Sequence, residues 1–391
     1  MTDQQGIEGQ KWTSPGDAGR STTPAMPPIA PLGWTPPPKP GLIPLRPLDL
    51  GTILGAAFRV LRRNPKPTFG AALLIQGSVY LLLIFVVTGA TFGAFSRIGS
   101  SSARNADQIT AGATGLVVVA SIIPGLLAVI ASAVLQGIIV IEVSRGAVGE
   151  KLTFRALWKR ARGRIGALVG WAAMLVLAST VLIGVIVAII VFLGVSFGTG
   201  GIIAAVLIGI IAFFGLAVVY VWLGTKLALV PSVLMIERMS IRGSIARSWS
   251  LTEGYFWRTF GISALVAVIV GVVSQVVSLP LNFIAPIVST LVDPQGQKGG
   301  GTIVLAAVLS VLVTVIAVVF QSITSVVQSA TTALIYLDLR IRTEGLDLEL
   351  VYYVEAKQTG DASVTDPLLR GAPATGMPAN GVSVHHELPW A

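Results

Sequence analysis

Long runs of apolar residues without a formal charge constrain this chain more than any other feature. The first run, residues 68–95, contains no Asp, Glu, Lys or Arg. A transmembrane helix needs about 20 mainly apolar residues to cross about 30 Å of hydrocarbon. Six segments are long enough: 68–95, 115–141, 165–193, 201–236, 260–288 and 302–337. Because lipid offers no partner for a backbone amide, we predict that each of them is a helix.

Composition supports the same class of protein. The chain is 53% apolar and only 12% charged, which leaves too little polar surface to cover a soluble globule of this length. We therefore predict an all-α, polytopic membrane bundle of six transmembrane helices. The chain contains no cysteine, so disulfides, thiolate nucleophiles and thiolate metal sites are excluded.

The chain divides into three parts. Residues 1–45 are rich in proline and lack apolar periodicity, which predicts a disordered cytoplasmic arm. Residues 46–343 form the predicted six-helix membrane domain. Residues 344–391 are predicted to be a cytoplasmic tail that is mostly disordered.

Basic residues predict the orientation in the membrane. Lys and Arg are concentrated before the first span and in the second and fourth connections, whereas the opposite connections hold few of them. The positive-inside rule places the basic side in the cytoplasm. We therefore expect a multi-pass protein of a bacterial cytoplasmic membrane with both termini in the cytoplasm.

Two landmarks recur along the chain and indicate an internal repeat. Phe69, Ile165 and Phe260 each precede a glycine, and they lie at nearly equal intervals. An acid followed closely by arginine ends each even-numbered span: Glu142 with Arg145, Glu237 with Arg238, and Asp338 with Arg340. The repeat predicts three transmembrane hairpins, each preceded by a cytoplasmic amphipathic helix. We interpret the acids and arginines as ion pairs between a span and its neighbouring cytoplasmic helix. Their recurrence in three copies favours a structural role over a catalytic one.

The predicted amphipathic helices combine an apolar stripe with basic side chains. We call these side chains the basic collar: Arg59, Arg62, Arg63, Arg155, Lys159, Arg160, Arg242, Arg247 and Arg258. Two interpretations remain open. Either the collar recruits anionic lipid headgroups or a membrane or cytoplasmic protein partner, or it only fixes the topology of the bundle. The net charge of +9 does not predict a nucleic-acid partner, because the cations crowd the ends of apolar spans.

One charge lies inside a predicted span. Lys226 precedes Glu237 by eleven residues, which is about 16 Å along a helix. A cation at that depth is a functional candidate, here a contact for an anion or a lipid phosphate. The alternative is a kink at Pro231 and a flexible stem that brings the amine towards the surface.

The last span contains a polar stripe. Four residues recur on one helical face: Gln321, Ser325, Gln328 and Thr332. We expect this face to look inward, where Gln76, Gln136 and Gln275 can join it by hydrogen bonds. The stripe either lines a hydrophilic cavity or holds helices together.

Motifs typical of enzymes are missing from their usual context. The sequence contains no HExxH or GxxxxGK[ST] motif and no GxGxxG after a predicted strand. A GxSxG pattern occurs at residues 194–198, but it lies between two predicted spans and not after a strand, so it is no nucleophile elbow. The two histidines, His385 and His386, lie in the tail without further ligands. We therefore expect no catalytic residue, no metal site and no cofactor.

Three stretches resemble a known family: "PLRPLDLGTILGAAFRVLRRNPKPTFG", "PSVLMIERMSIRGSIARSWSLTEGYFWRTFG" and "YLDLRIRTEGLDLEL". They are similar to the bacterial membrane domain attached to some glycerophosphodiester phosphodiesterases, which is also encoded alone as membrane proteins of unknown function. The resemblance covers residues 44–350. In the two-domain relatives, hydrolysis belongs to a separate soluble barrel with histidines and metal-binding acids, so no catalytic residue carries over. The resemblance implies a membrane module associated with lipid-headgroup metabolism.

These observations lead to two functional hypotheses. The first is an integral membrane protein without a catalytic site, acting as a scaffold or a lipid-interacting accessory. The alternative is a small transporter or channel for an anionic or lipid-headgroup-like solute. In the second hypothesis, Lys226 and the polar stripe line the route.

Overall fold

The computed structural model of the chain describes residues 41–99, 106–292, 300–359 and 365–369. The predicted arm, 1–45, lies outside these ranges except for its last five residues, 41–45. His385 and His386 also lie outside them, as does most of the predicted tail beyond residue 359.

The described residues form helices and no strand. Ten α-helices follow one another: α1 (Leu50–Arg63), α2 (Ala71–Gly99), α3 (Ala106–Ala147), α4 (Phe154–Ser196), α5 (Gly198–Leu227), α6 (Val230–Ile236), α7 (Ile241–Thr252), α8 (Phe256–Val292), α9 (Gly300–Glu344) and α10 (Leu346–Thr359). A π-helical turn, Lys66–Gly70, precedes α2, and a short 3-10 turn, Pro367–Leu369, follows α10.

Six helical stretches among the described residues are long and apolar enough to cross a membrane. They are Lys66–Ala90, Gly112–Ala147, Phe154–Ser196, Gly198–Ile236, Phe256–Pro280 and Val311–Glu344. Each of them overlaps one predicted span. The all-α class and the number of candidate spans are thereby confirmed, and the chain is a membrane-embedded helical protein.

A pair of prolines separates α1 from the first span. Pro65 and Pro67 have no backbone N–H, so a regular α-helix cannot continue through them. The chain instead forms the π-helical turn, in which Gly70 N–H donates to the carbonyl of Pro65 at 3.0 Å. This turn separates α1, which carries exposed arginines, from α2, which has no charged residue before Arg97.

The basic segment before the third span differs from the prediction. We expected a separate cytoplasmic helix there, but α4 runs without a break from Phe154 to Ser196. The Thr153 side chain caps its start by accepting from Ala156 N–H at 3.4 Å. The segment contains no proline, and a glycine inside a helix costs only about 1 kcal/mol relative to alanine. No local signal therefore interrupts the helix where the charged part meets the apolar part.

The fourth span, by contrast, is broken near its end. α5 ends at Leu227, and α6 begins at Val230 with Pro231 in its first turn, a position that proline favours. All seven residues of α6 are buried. The break places Lys226 at the end of α5 rather than in the middle of a straight helix.

The apolar core lies at one end of the bundle. It is formed by α1, α6, the C-terminal parts of α3 and α9 and the first parts of α4 and α8, together with residues of α7 and α10. A Cβ on Gly137 would lie 3.0 Å from Met235 Cε and 3.1 Å from Leu168 Cδ2, so a larger residue would force these side chains to shift where α3 approaches α4 and α6. In α4 and α5 only 0% and 6% of the most apolar stretch is buried. Their apolar side chains therefore face outward, as a lipid-exposed helix requires.

Candidate functional site

Charged clusters lie where α3, α6 and α9 end, a region that we call the charged end. The first cluster surrounds the buried side chain of Glu237, the residue after α6. Arg247 Nε of α7 donates to both carboxylate oxygens, at 3.3 and 3.2 Å, and the Tyr336 hydroxyl of α9 donates to Oε1 at 2.6 Å. Arg340 donates to the Tyr336 hydroxyl at 3.2 Å and to Glu344 at 2.9 Å. These contacts join α6, α7 and α9.

The second cluster surrounds Asp338 of α9, whose side chain is only 1% exposed. Arg258 of α8 and Arg342 of α9 each donate to this carboxylate at 3.0 Å. The backbone N–H of Leu48 donates to Oδ1 at 2.8 Å, and the Leu48 carbonyl accepts from Arg342 Nη2 at 2.9 Å. Asp338 therefore fixes the chain before α1 against α8 and α9.

The third cluster lies between α1 and the end of α3. Arg63 Nη1 donates to the carbonyl of Gly146 at 2.7 Å, and thus caps the C-terminal end of α3. Asn64 Nδ2 donates to Glu142 Oε1 at 3.1 Å and to the carbonyl of Leu152 at 2.9 Å. The cluster holds α1 and α3 together with the loop before α4.

Two of the three acid–arginine landmarks show why neighbours in sequence are not the partners in space. Glu237 is bound by Arg247, ten residues later, and Asp338 by Arg258 from another helix. Residues one or two apart on a helix do not face each other. Arg340, two residues after Asp338 on α9, therefore lies in other surroundings, and Arg238 lies beyond the end of α6. In the first landmark, Arg145 forms an ion pair with Asp366 of the C-terminal segment.

A fourth acid connects α10 to the charged end. Glu150, in the loop between α3 and α4, accepts a hydrogen bond from Lys357 of α10 and lies 3.7 Å from Arg160. Burial alone would raise the pKa of Glu150, but the hydrogen bond and charge of Lys357 and the charges of Arg145 and Arg160 hold it below its ordinary value of 4.5. The carboxylate therefore keeps its charge to lower pH than a free glutamate does.

A shallow pocket lies between the end of α3, the start of α4 and the end of α6. Three arginines line it, Arg145, Arg160 and Arg238, and we call it the arginine pocket. The segment 365–369 closes one side. Asp366 of this segment forms the ion pair with Arg145, and Leu368, only 1% exposed, packs on the apolar core.

Arg238 has an unusual backbone conformation. Its φ is 56°, and among the described residues other than glycine it alone has a positive φ. It follows the C-cap of α6, a place where glycine commonly takes the left-handed conformation. A side chain there costs about 1–3 kcal/mol, and such strain is concentrated at functional sites. The exposed Arg238 side chain reaches the arginine pocket from this position.

Lys226 lies beside α7. Its ammonium nitrogen is 5.1 Å from the centroid of the Trp249 ring, and its carbonyl accepts a hydrogen bond of 2.6 Å from the Ser248 hydroxyl. The ring of Trp222 packs edge-on against Trp249, with centroids 5.4 Å apart. The amine is thus held by a cation–π contact to α7.

The polar stripe of α9 departs from the predicted inward orientation. Gln321 and Gln328 are exposed, whereas Ser325 is half-buried and accepts a hydrogen bond of 2.9 Å from Gln76 of α2. Thr332 donates within its own helix, to the carbonyl of Gln328 at 3.0 Å. The core positions of this part of α9 are occupied by other residues: Ser322, Val326, Val327 and Ala330. Apolar packing therefore sets the rotation of α9 and turns the two glutamines outward.

The charged end presents guanidinium groups, which suit the binding of anions. Its buried acids, Glu237 and Asp338, are held by arginines of the fold. Over the ranges that the structure covers, no group of three or more His, Cys, Asp or Glu residues could hold a metal ion. The guanidinium groups of the arginine pocket remain as groups that can receive a ligand.

A comparison with known protein families gives a match for this helical chain. The family model described as "Domain of unknown function (DUF7847)" matches residues 48–339. The chain belongs to this family. Searches among curated proteins and among solved structures find no match. The DUF7847 match shows no link to a domain associated with glycerophosphodiester phosphodiesterases.

The DUF7847 match covers most, but not all, of the charged end. Glu142, Glu237 and Asp338 lie within residues 48–339. Glu344 and the segment 365–369 lie beyond the match. The residues that close the arginine pocket on its C-terminal side are therefore outside the part of the chain that defines the DUF7847 family.

The basic collar of this DUF7847 chain divides into two groups. Arg63, Arg247 and Arg258 are bound within the fold, as a helix cap and as partners of buried acids. The others are exposed: Arg59, Arg62, Arg155, Lys159, Arg160 and Arg242. Only this second group can meet a lipid or a partner protein.

Three residues that organise the charged end were not predicted from the sequence. Tyr336 belongs to an apolar span and gives no signal of its polar contact. Asn64 follows the last residue of α1, a position where asparagine is a common helix terminator. Asp366 precedes a proline, which is typical of a turn, and that pattern could have predicted the short turn Pro367–Leu369.

Proposed function

We propose that this DUF7847 chain is an integral membrane protein without a catalytic site of its own, acting as a scaffold or lipid-interacting accessory in the bacterial cytoplasmic membrane. The division of the basic collar is the observation that supports it best. The bound arginines stabilise the charged end, and the exposed cations surround the same end. Exposed cations beside apolar spans are well placed to meet anionic headgroups, each contributing about 1 kcal/mol near a charged membrane surface.

We also propose that the bundle consists of three hairpin repeats, each preceded by a cytoplasmic amphipathic segment. Helix pairs α2–α3, α4–α5 and α8–α9 pack against each other. The preceding segments are α1, the first part of α4, and α7. Because exposed arginines and lysine are concentrated in these segments, the positive-inside rule favours a cytoplasmic charged end and cytoplasmic termini.

The proposed partners follow from the same charges. Anionic lipid headgroups are the first, and a membrane or cytoplasmic protein is the second. We expect no nucleic acid partner. The resemblance to membrane domains associated with glycerophosphodiester phosphodiesterases supports a role near lipid-headgroup metabolism, although no active site of such an enzyme is expected in this chain.

Lipid analysis of the chain extracted from its native membrane tests this function. The full chain is isolated in polymer-bounded native discs, and the ratio of anionic to zwitterionic lipid is measured by mass spectrometry. We expect this ratio to exceed that of the bulk membrane. Replacing the six exposed collar cations by glutamine should lower the ratio to the bulk value.

A charge-preserving variant provides the control. It exchanges the five exposed collar arginines for lysine and Lys159 for arginine, and it should retain the enrichment because headgroup attraction depends mainly on charge. Equal lipid ratios in wild type and the glutamine variant would reject a lipid-interacting role of the collar. Proteins that copurify with the discs identify a scaffold partner.

The second candidate function is a small transporter or channel for an anionic or lipid-headgroup-like solute. The observation behind it is that Gln321 and Gln328 are exposed on a membrane span. Polar side chains at membrane depth usually face protein or water, and a hydrated route along this face of α9 would supply the water. Uptake of an anionic headgroup analogue into vesicles containing the chain tests it. Lys226→Met should abolish this uptake and Lys226→Arg should retain it. Equal uptake by wild type and Lys226→Met would reject the transporter.

A further inference from the structure

We propose that the arginine pocket is a phosphate-binding site, in which Asp366 is an internal carboxylate that a phosphate group displaces. The ligand class is a phosphate monoester or diester, either on a soluble molecule or on a lipid headgroup. This inference deepens the proposed lipid-interacting function and rests on it for the lipid as a source of phosphate.

The positive charge of the arginine pocket supports a bound phosphate. Arg145, Arg160 and Arg238 come from three different helix ends and line one pocket. Asp366 and Glu150 supply two negative charges beside these three positive ones. The pocket therefore keeps an excess of positive charge, and guanidinium groups match phosphate oxygens with pairs of parallel hydrogen bonds.

The positive φ of Arg238 also supports a ligand site. A glycine at this position would adopt a φ of 56° without strain. The chain has an arginine there, and the strained conformation turns its side chain into the pocket. Strained residues of this kind are concentrated at active sites and ligand contacts.

The ion pair of Asp366 also supports the site, because a carboxylate already binds an arginine of the pocket. Its Oδ1 accepts the N–H of Leu368 at 3.0 Å, and its Oδ2 pairs with Arg145. The Asp366 and Arg145 side chains are 15% and 11% exposed, so the pair lies at the edge of the fold. A phosphate group offers more acceptor oxygens to the guanidinium groups than a carboxylate does, and it can therefore replace the carboxylate.

Direct binding of radiolabelled inorganic phosphate to the purified full chain in phosphatidylcholine discs is the first measurement. Arg238→Gln should weaken binding about tenfold, because it removes a charge-assisted contact. Asp366→Asn should strengthen binding about two- to fivefold, because the internal competitor loses its charge. Arg162→Gln, an exposed cation of α4 that belongs neither to the pocket nor to the basic collar, is the matched control and should leave binding unchanged.

Displacement of Asp366 is the second measurement. Since the chain has no cysteine, Thr365→Cys and Lys159→Cys can carry a pair of spin labels without background. Phosphate should lengthen the distance between the labels. If the lipid is the source, discs containing phosphatidylglycerol should lengthen it without added phosphate, and Arg238→Gln should again prevent the change.

The outcomes separate the two proposals. Phosphate binding that is weakened by Arg238→Gln but not by Arg162→Gln supports the site, even if the native lipid analysis shows no enrichment and the lipid-interacting function fails. Conversely, lipid enrichment without any effect of Arg238→Gln leaves that function standing and overturns the site. No response in either disc composition, or equal effects of the two arginine variants, also overturns it.

Discussion

Tyr336 donates a hydrogen bond of 2.6 Å to Glu237, although the two residues are 99 positions apart in the chain. The contact joins the end of the fourth span to the end of the sixth. Arg247 and Arg340 complete the surroundings of the Glu237 carboxylate and the Tyr336 hydroxyl. A buried acid is tolerated here because its charge is met by two arginines and a hydroxyl.

Removal of this hydroxyl should destabilise the bundle. Tyr336→Phe removes a hydrogen bond to a charged group, which typically contributes about 1.5–3 kcal/mol. We expect a lower thermal midpoint in detergent. Tyr352→Phe, on an exposed side chain of α10, is the control and should not change the midpoint. Equal midpoints for wild type and Tyr336→Phe would contradict a structural role of the contact.

Asp338 should be the most sensitive acid of the charged end. Asp338→Ala leaves Arg258, Arg342 and the Leu48 N–H without their shared partner, and breaking a buried ion pair costs about 3–5 kcal/mol. Thermal unfolding in detergent measures the loss. Glu349→Gln, on an exposed side chain, should cost less than about 1 kcal/mol. A similar small loss for both variants would show that Asp338 does not hold α1 in place.

Glu150 gives a prediction about pH. Because its pKa in the fold lies below 4.5, its contact with Lys357 stabilises the fold above that pH and is lost as the pH falls through the lowered pKa. The difference in thermal midpoint between wild type and Glu150→Gln should therefore be present at neutral pH and vanish in acid. Lys357→Gln should give the same pH dependence, and the double variant should show no further loss. A difference that stays constant from neutral to acidic pH would contradict this assignment.

Arg238 offers a test of strain against function. Arg238→Gly should raise the free energy of unfolding by about 1 kcal/mol, because glycine adopts a positive φ without penalty. Arg238→Gln keeps a side chain on the strained backbone and should leave stability near that of wild type. Denaturation of the three proteins in the same detergent measures the difference. Equal stability of the glycine and glutamine variants would show that the backbone at Arg238 is not strained.

Lys226 should contribute little to stability. Lys226→Met removes the cation–π contact with Trp249, which is about 0.5–1 kcal/mol for a partly exposed pair. The tryptophan fluorescence of the chain should change with the loss of the neighbouring charge, and Lys226→Arg should restore it. An unchanged spectrum in Lys226→Met would place the amine away from the ring.

Much of the fold was predictable because the composition of a segment shows whether it lies in lipid or in water. The six apolar runs predict six helices, since a backbone without water must satisfy its own hydrogen bonds. The end of charge at Pro65 and Pro67 similarly predicts the boundary between α1 and the first span. A kink at Pro231 was one of the alternatives that the sequence left open for the fourth span, and the helix breaks just before this residue.

The charged end was predictable only in part. The sequence pointed to Glu237 and Asp338 as members of ion pairs, because acids are rare at the ends of basic, apolar segments. Their partners could not be deduced, since Arg247 and Arg258 reach them through the packing of separate helices. Gln321 and Gln328 were expected to face inward and are exposed, for a related reason: periodicity shows which residues share a face, but neighbouring helices decide which face is buried.

The sequence by itself determined that this protein is helical, lies in a membrane and gathers its cations at the ends of its spans, because local composition decides how each segment meets lipid or water. Only the tertiary structure decided which arginines are bound within the fold and which remain available. Contacts such as Arg145 with Asp366 join parts of the chain far apart in sequence. They form only when distant helix ends pack together, and no local pattern specifies that packing.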